Sequence, residues 1–175
     1  MNPLKMSDLV NFNNRTMEQI LSVDNKLIHF KLNEGANCWQ TRTSINNVDL
    51  EIEIDFQFHK EKEVNWDRFR GFYAFVNKEE RLKKLIDDSQ NLVNELGKAF
   101  YRESANEVLD YKMEFANSIF YNGKTDGAFI KDGYSYSLIF NYFAKRDNGT
   151  YGDEYGLYLV DIENHFIVGT RRYQC

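Results

Sequence analysis

Val48-Asp49-Leu50-Glu51-Ile52-Glu53-Ile54-Asp55-Phe56-Gln57-Phe58 alternates apolar and polar residues without a slip. Successive side chains of a strand point to opposite faces. An extended backbone here therefore lays Val48, Leu50, Ile52, Ile54, Phe56 and Phe58 against a core and lines up Asp49, Glu51, Glu53 and Asp55 on the other side. Successive carboxylates would stand about 7 Å apart. The stretch predicts a half-buried strand with an acidic outer face.

Working upstream, Asn46-Asn47 has the residue type of a two-residue hairpin turn. That turn sets Ile45 opposite Val48, Thr43 opposite Leu50, Thr41 opposite Ile52 and Trp39 opposite Ile54, so the apolar sides coincide. The same register puts Arg42 opposite Glu51 and Ser44 opposite Asp49. Leu27 to Leu32 also alternates, with Ile28, Phe30 and Leu32 apolar, and predicts an earlier strand ending at the turn-like run from Asn33 to Asn37. Thr16 and Gln19 have capping-box spacing and predict a short helix over Thr16 to Val23. Residues 1 to 15 are polar and rich in Asn.

Downstream the period changes from two to between three and four. Trp66, Phe69, Phe72, Tyr73 and Val76 recur at helical spacing, and Leu82, Leu85, Ile86, Leu92, Val93, Leu96 and Phe100 do so again. Asn77 with Glu80 predicts a cap between them, hence two helices or one bent there. Arg68, Lys83, Lys84, Asp87 and Asp88 fall on the solvated faces. Alternation returns at Tyr111, Met113 and Phe115. Turn signals at Asn122-Gly123, Asp126-Gly127, Asp132-Gly133 and Asn148-Gly149 then bracket an aromatic strand from Tyr134 to Phe143 and a last hairpin of Tyr155 to Val160 with Phe166 to Tyr173. Both arms of that hairpin carry apolar residues on both sides, the pattern of strands covered on two faces. Strands, then helices, then strands predict one α+β domain over residues 1–175. Its mostly antiparallel sheet, or pair of sheets, comes from the N-terminal meander and C-terminal hairpins, packed on a central helical layer.

With 175 residues, 42% of them hydrophobic and 15% aromatic, the chain can bury a substantial core. Lys and Arg number 22 against 27 Asp and Glu, a net charge of −5. That balance speaks against nucleic acid as a partner, since phosphate binding needs concentrated basic charge, and leaves a basic protein as the partner class. Two cysteines, Cys38 and Cys175, are too few for a disulfide framework. No continuous apolar segment reads as a signal peptide or membrane span, so the expectation is a cytoplasmic protein that does not enter a membrane.

Few residues point to chemistry. The acidic row Asp49, Glu51, Glu53 and Asp55 would suit docking of a cationic surface. A straight strand splays such side chains, which argues against a metal. The Gly-rich loop from Asp147 to Gly156 offers Tyr151, Asp153, Glu154 and Tyr155 as a hydrogen-bonding binding surface. It fits neither the calcium-loop pattern, because Gly149 and Tyr151 stand where oxygen ligands are required, nor a phosphate cradle. His29 and Cys38 fall on neighbouring strands, but the dispersal of His29, His59 and His165 favours surface roles over a catalytic pair. Zinc spacings, the G-x-S-x-G elbow and the G-x-G-x-x-G turn are missing. Carboxylate pairs such as Asp153 with Asp161 or Glu163 are too numerous to single out one for acid–base work. The aromatic run Tyr134, Tyr136, Phe140, Tyr142 and Phe143, with Tyr151, Tyr155 and Tyr158, reads chiefly as core with a tyrosine-edged surface.

The composition and layout therefore lead to a small acidic protein-binding module, neither cofactor- nor metal-dependent, that engages a basic protein through an acidic, tyrosine-rich surface. A bacterial immunity or antitoxin-like inhibitor of a cationic nuclease is one instance. The rival expectation is a small-ligand-binding protein or enzyme with a pocket between sheet and helices.

Overall fold

The computed structural model describes residues 17–36, 38–55, 64–78, 80–104, 111–121, 133–145, 148–152 and 156–173. Four strands come first: β1 (Glu18–Val23), β2 (Lys26–Asn33), β3 (Cys38–Ile45) and β4 (Val48–Asp55). Two helices follow, α1 (Trp66–Val76) and α2 (Arg81–Ser104). The chain ends in β5 (Tyr111–Tyr121), β6 (Ser135–Lys145), the two-residue β7 (Tyr151–Gly152), β8 (Leu157–Glu163) and β9 (Phe166–Tyr173). All strands join one sheet in the order β1-β2-β3-β4-β5-β6-β8-β9, with β7 paired to the end of β6. The α+β expectation holds, with a single sheet and one helical layer.

Every neighbouring pair is antiparallel except β4 with β5, which run parallel with Ile52 beside Ser118 and Ile54 beside Phe120. The reason is connectivity. Antiparallel neighbours can be joined by a tight turn, whereas parallel ones need a crossover, and here the crossover is the helical pair.

Two tight turns set the N-terminal meander. Asp24 and Asn25 have φ of 47° and 62°, and Asn46 and Asn47 have 49° and 63°, the left-handed pair that a two-residue turn between twisted strands requires. The β3–β4 register matches the expected one at every position, from Ile45 with Val48 to Trp39 with Ile54. The helix expected over Thr16 to Val23 is instead β1. Met17, Ile20 and Leu21 do fit helical spacing, but the Asp24-Asn25 turn folds the segment onto β2, where Leu21 and Val23 point inward and Ile20 stays 52% exposed. A full ladder outweighs a weak local helix signal.

The helices form where periodicity placed them. The Asn65 side chain caps α1 by accepting from the Arg68 backbone N–H at 3.0 Å. Phe69, Phe72, Tyr73 and Val76 are buried against the sheet, as are Leu82, Leu85, Ile86 and Val93 of α2, while Lys83, Lys84, Asp87 and Asp88 face water; Arg68, expected on a solvated face, is instead half-buried and donates to the Gly133 carbonyl. Asn77 is the C-cap of α1 and not an N-cap for α2. Its carbonyl accepts from the Asn46 side-chain amide at 2.8 Å, so the β3–β4 turn closes the end of the helix.

Aromatic rings fill the space between layers. Phe72 stacks on Phe120 with centroids 4.6 Å apart and lies 5.0 Å from Tyr136, and Phe69 meets Phe120 edge-on at 5.5 Å. Gly71 allows Tyr134 to lie against α1, because a Cβ there would overlap the Tyr134 hydroxyl. On the C-terminal side, Tyr136, Leu138, Phe140 and Tyr142 of β6 and Tyr158, Val160 and Ile162 of β8 complete the core. β8 is buried on both faces, as its composition predicted. β9 is not: it is the sheet edge, with Phe166, Val168 and Tyr173 exposed and a bulge at Val168.

Candidate functional site

The face of the sheet away from the helices carries the polar chemistry. On β4, Asp49 is exposed, and Glu51 and Glu53 are half-buried, all pointing away from Leu50, Ile52 and Ile54. β3 supplies their neighbours. Arg42 Nε donates to Glu51 Oε2 at 3.0 Å, and Gln40 Nε2 donates to Glu53 Oε1 at 3.3 Å. Arg42 is 88% exposed, so this ion pair sits in high dielectric and holds Glu51 only weakly. Asn33 Nδ2 donates to Gln40 at 3.4 Å and extends the polar ladder to β2. The backbone of Asp55 continues β4 beside Cys38 and Tyr121, while its side chain lies outside the described residues. Of the loop candidates, Tyr151 enters β7 opposite Lys145. The side chain of Tyr151, and all of Asp153, Glu154 and Tyr155, lie outside the described residues, as do Phe56, Phe58 and the Asn122-Gly123 and Asp126-Gly127 turns.

The same face carries a second polar group on β5, β6, β8 and β9. Arg171 Nε donates to Asp161 Oδ2 at 2.9 Å and its Nη2 to Oδ1 at 2.7 Å, a two-pronged pair. Nη2 also donates to the Tyr121 hydroxyl at 2.9 Å, and Nη1 to the Tyr173 hydroxyl at 3.3 Å. Ser137 Oγ donates to Asp161 Oδ1 at 2.5 Å. Its one proton is thereby used, so in the 2.8 Å bond between the two hydroxyls Tyr121 donates to Ser137. The result is a closed ring running from Arg171 through Tyr121 and Ser137 to Asp161. The hydrogen-bonded Asp161 carboxylate, and then Tyr121, push the Arg171 pKa up against the opposing effect of burial. Ser137 is wholly buried, as are nearly all of Ser135 and Glu163, which pair directly on the same side. Only Asp161 and Glu163 of this group entered the sequence reading. A carboxylate inside the apolar run Leu159-Val160-Asp161-Ile162 is the signal that could have found it.

The buried Cys38 pairs with Asn33 of β2, and His29 lies four residues, about 13 Å, along β2 from that partner. Among the described residues no group of three or more His, Cys, Asp or Glu side chains is placed to hold a metal ion, and no helix is long and apolar enough to cross a membrane. No family model, no curated protein and no solved structure matches the chain.

Proposed function

We propose that this protein is a docking module whose outer sheet face engages a basic protein, in the manner of an immunity or antitoxin-like inhibitor. The observation that carries the reading is the outward row Asp49, Glu51 and Glu53, held on a strand whose other face is sealed into the core. A rigid strand presents charge without the ordering cost that a loop would incur. Arg42, which pairs with Glu51 of the row, is itself largely in solvent and can be displaced by a partner's side chains. Tyr173, 46% exposed on the same face, adds an amphipathic contact residue. The space between sheet and helices, where the rival reading puts a pocket, is occupied by Phe69, Phe72, Phe120 and Tyr136, which favours a surface over a cavity.

The test is calorimetry of the purified chain with a basic protein encoded beside it. The expected result is one-to-one binding that weakens with salt and disappears in the triple variant Asp49→Lys, Glu51→Lys, Glu53→Lys, with the melting temperature unchanged. Unaltered affinity in that variant sinks the reading.

A further inference from the structure

The ladder that joins the first two strands to the rest of the sheet is short. β1 and β2 pair over six residues, from Glu18 with Lys31 to Val23 with Lys26. β2 and β3 pair over three, Lys31 with Gln40, Leu32 with Trp39 and Asn33 with Cys38. Beyond Lys31 the two strands separate, and among the described residues the edge of β3 over residues 41–45 has no strand partner on that side. Side chains occupy the gap: the Ser44 carbonyl accepts from Lys26 Nζ at 3.2 Å and from the Tyr73 hydroxyl at 3.3 Å. The hairpin instead buries Leu21, Val23, Ile28 and Phe30 in the core, and Phe30 meets α1, its ring 5.1 Å from that of Trp66 and 5.0 Å from that of Phe69.

We propose that the β1–β2 hairpin is a strap that opens as a unit about the turn following Asn33 while the remaining sheet and both helices stay folded, with Lys26 on Ser44 as its latch. Opening uncovers the α1 surface at Trp66 and Phe69 and the 41–45 edge of β3. Among the described residues the strap is the end of the sheet, so it leaves without interrupting any other ladder. The packing of Phe72 on Phe120 and Tyr136, which ties α1 to β5 and β6, does not pass through it. A boundary of three residue pairs and one apolar face makes a separate opening less costly than global unfolding, and segments that move are drawn from such low-stability units. Once undocked, a two-stranded hairpin is marginal in water, so its amides exchange at each opening. The inference is independent of the docking reading.

Amide hydrogen exchange of the full chain, followed by mass spectrometry at increasing sub-denaturing urea, tests it. Peptides from residues 18–33 should exchange at least about tenfold faster than peptides from β6 and β8, with a shallower dependence on urea. Lys26→Met should accelerate exchange in 18–33 by a further factor of about two to five, the equivalent of one exposed hydrogen bond, and leave β6 and β8 unchanged. Equal rates and slopes in the two regions would overturn the strap. A Lys26→Met effect that is missing, or spread evenly over both regions, would overturn the latch and with it the proposal.

Discussion

Gly71→Ala should destabilise this protein, although the same change in an exposed helix interior stabilises by roughly 0.5–1 kcal/mol through lower backbone entropy in the unfolded chain. The obstacle is one atom. A Cβ at Gly71 would overlap the Tyr134 hydroxyl, with Cζ of that ring at 3.1 Å and Cε1 at 3.4 Å. The ring cannot simply swing aside. It lies 5.5 Å from Phe75 and 6.2 Å from Phe72, the Arg68 guanidinium covers it at 5.4 Å, and the Tyr134 backbone N–H is held by Asn164 Oδ1 at 2.9 Å. Overpacking of this kind costs about 1–3 kcal/mol, so the net loss should be about 1–2 kcal/mol, or roughly 2–8 °C in Tm for a chain of this length. Tyr134→Phe removes the overlapping atom and leaves a carbon contact that a few tenths of an ångström relieves. In that background Gly71→Ala should be neutral or slightly stabilising. Urea denaturation of the four proteins of this cycle measures the coupling, expected at about 1 kcal/mol or more. Stabilisation by Gly71→Ala in the parent, or equal losses in both backgrounds, would refute the packing argument.

The ring on the outer face makes a second cycle. Tyr121→Phe removes a hydroxyl that both accepts from Arg171 and donates to Ser137, and should cost about 1–2 kcal/mol; combined with Ser137→Ala the loss should fall short of additive by about 0.5 kcal/mol or more in urea titrations. Asn46→Ala should cost about 1–2 kcal/mol by thermal unfolding, because it strains a φ of 49° and removes the bond to the Asn77 carbonyl, whereas Asn46→Gly keeps the backbone freedom and should lose about half of that. Burial holds the Tyr136 hydroxyl pKa above its ordinary value, with Arg81 pulling weakly the other way. A proton held more tightly in the folded state gives stability that is complete below the unfolded value near pH 10 and is lost progressively as pH rises from there to the higher folded value. Tyr136→Phe should therefore cost about 1 kcal/mol at pH 8, through its lost bond to the Asn164 carbonyl, and show a smaller further fall in urea midpoint by pH 10.5 than the parent.

The sequence by itself determined what is periodic. Alternation from Val48 to Ile54, with the Asn46-Asn47 turn, specifies the β3–β4 register, because a slip of one residue would turn every carboxylate inward. Helical spacing likewise identifies the buried face of α1 and that of α2 as far as Val93, beyond which Leu96 is exposed. Where two local patterns compete, as at Met17 to Val23, the sequence misleads, since the deciding term is a ladder to a strand elsewhere in the chain. Only the tertiary structure decided the rest. It set β4 parallel to β5, put β9 at the edge, parted β2 from β3 beside α1, and brought Tyr121, Ser137, Asp161 and Arg171 together from four strands. Such contacts join residues as far apart as Ile52 and Ser118 or Tyr121 and Arg171, and their energies depend on distance and burial, which no local window of residues contains.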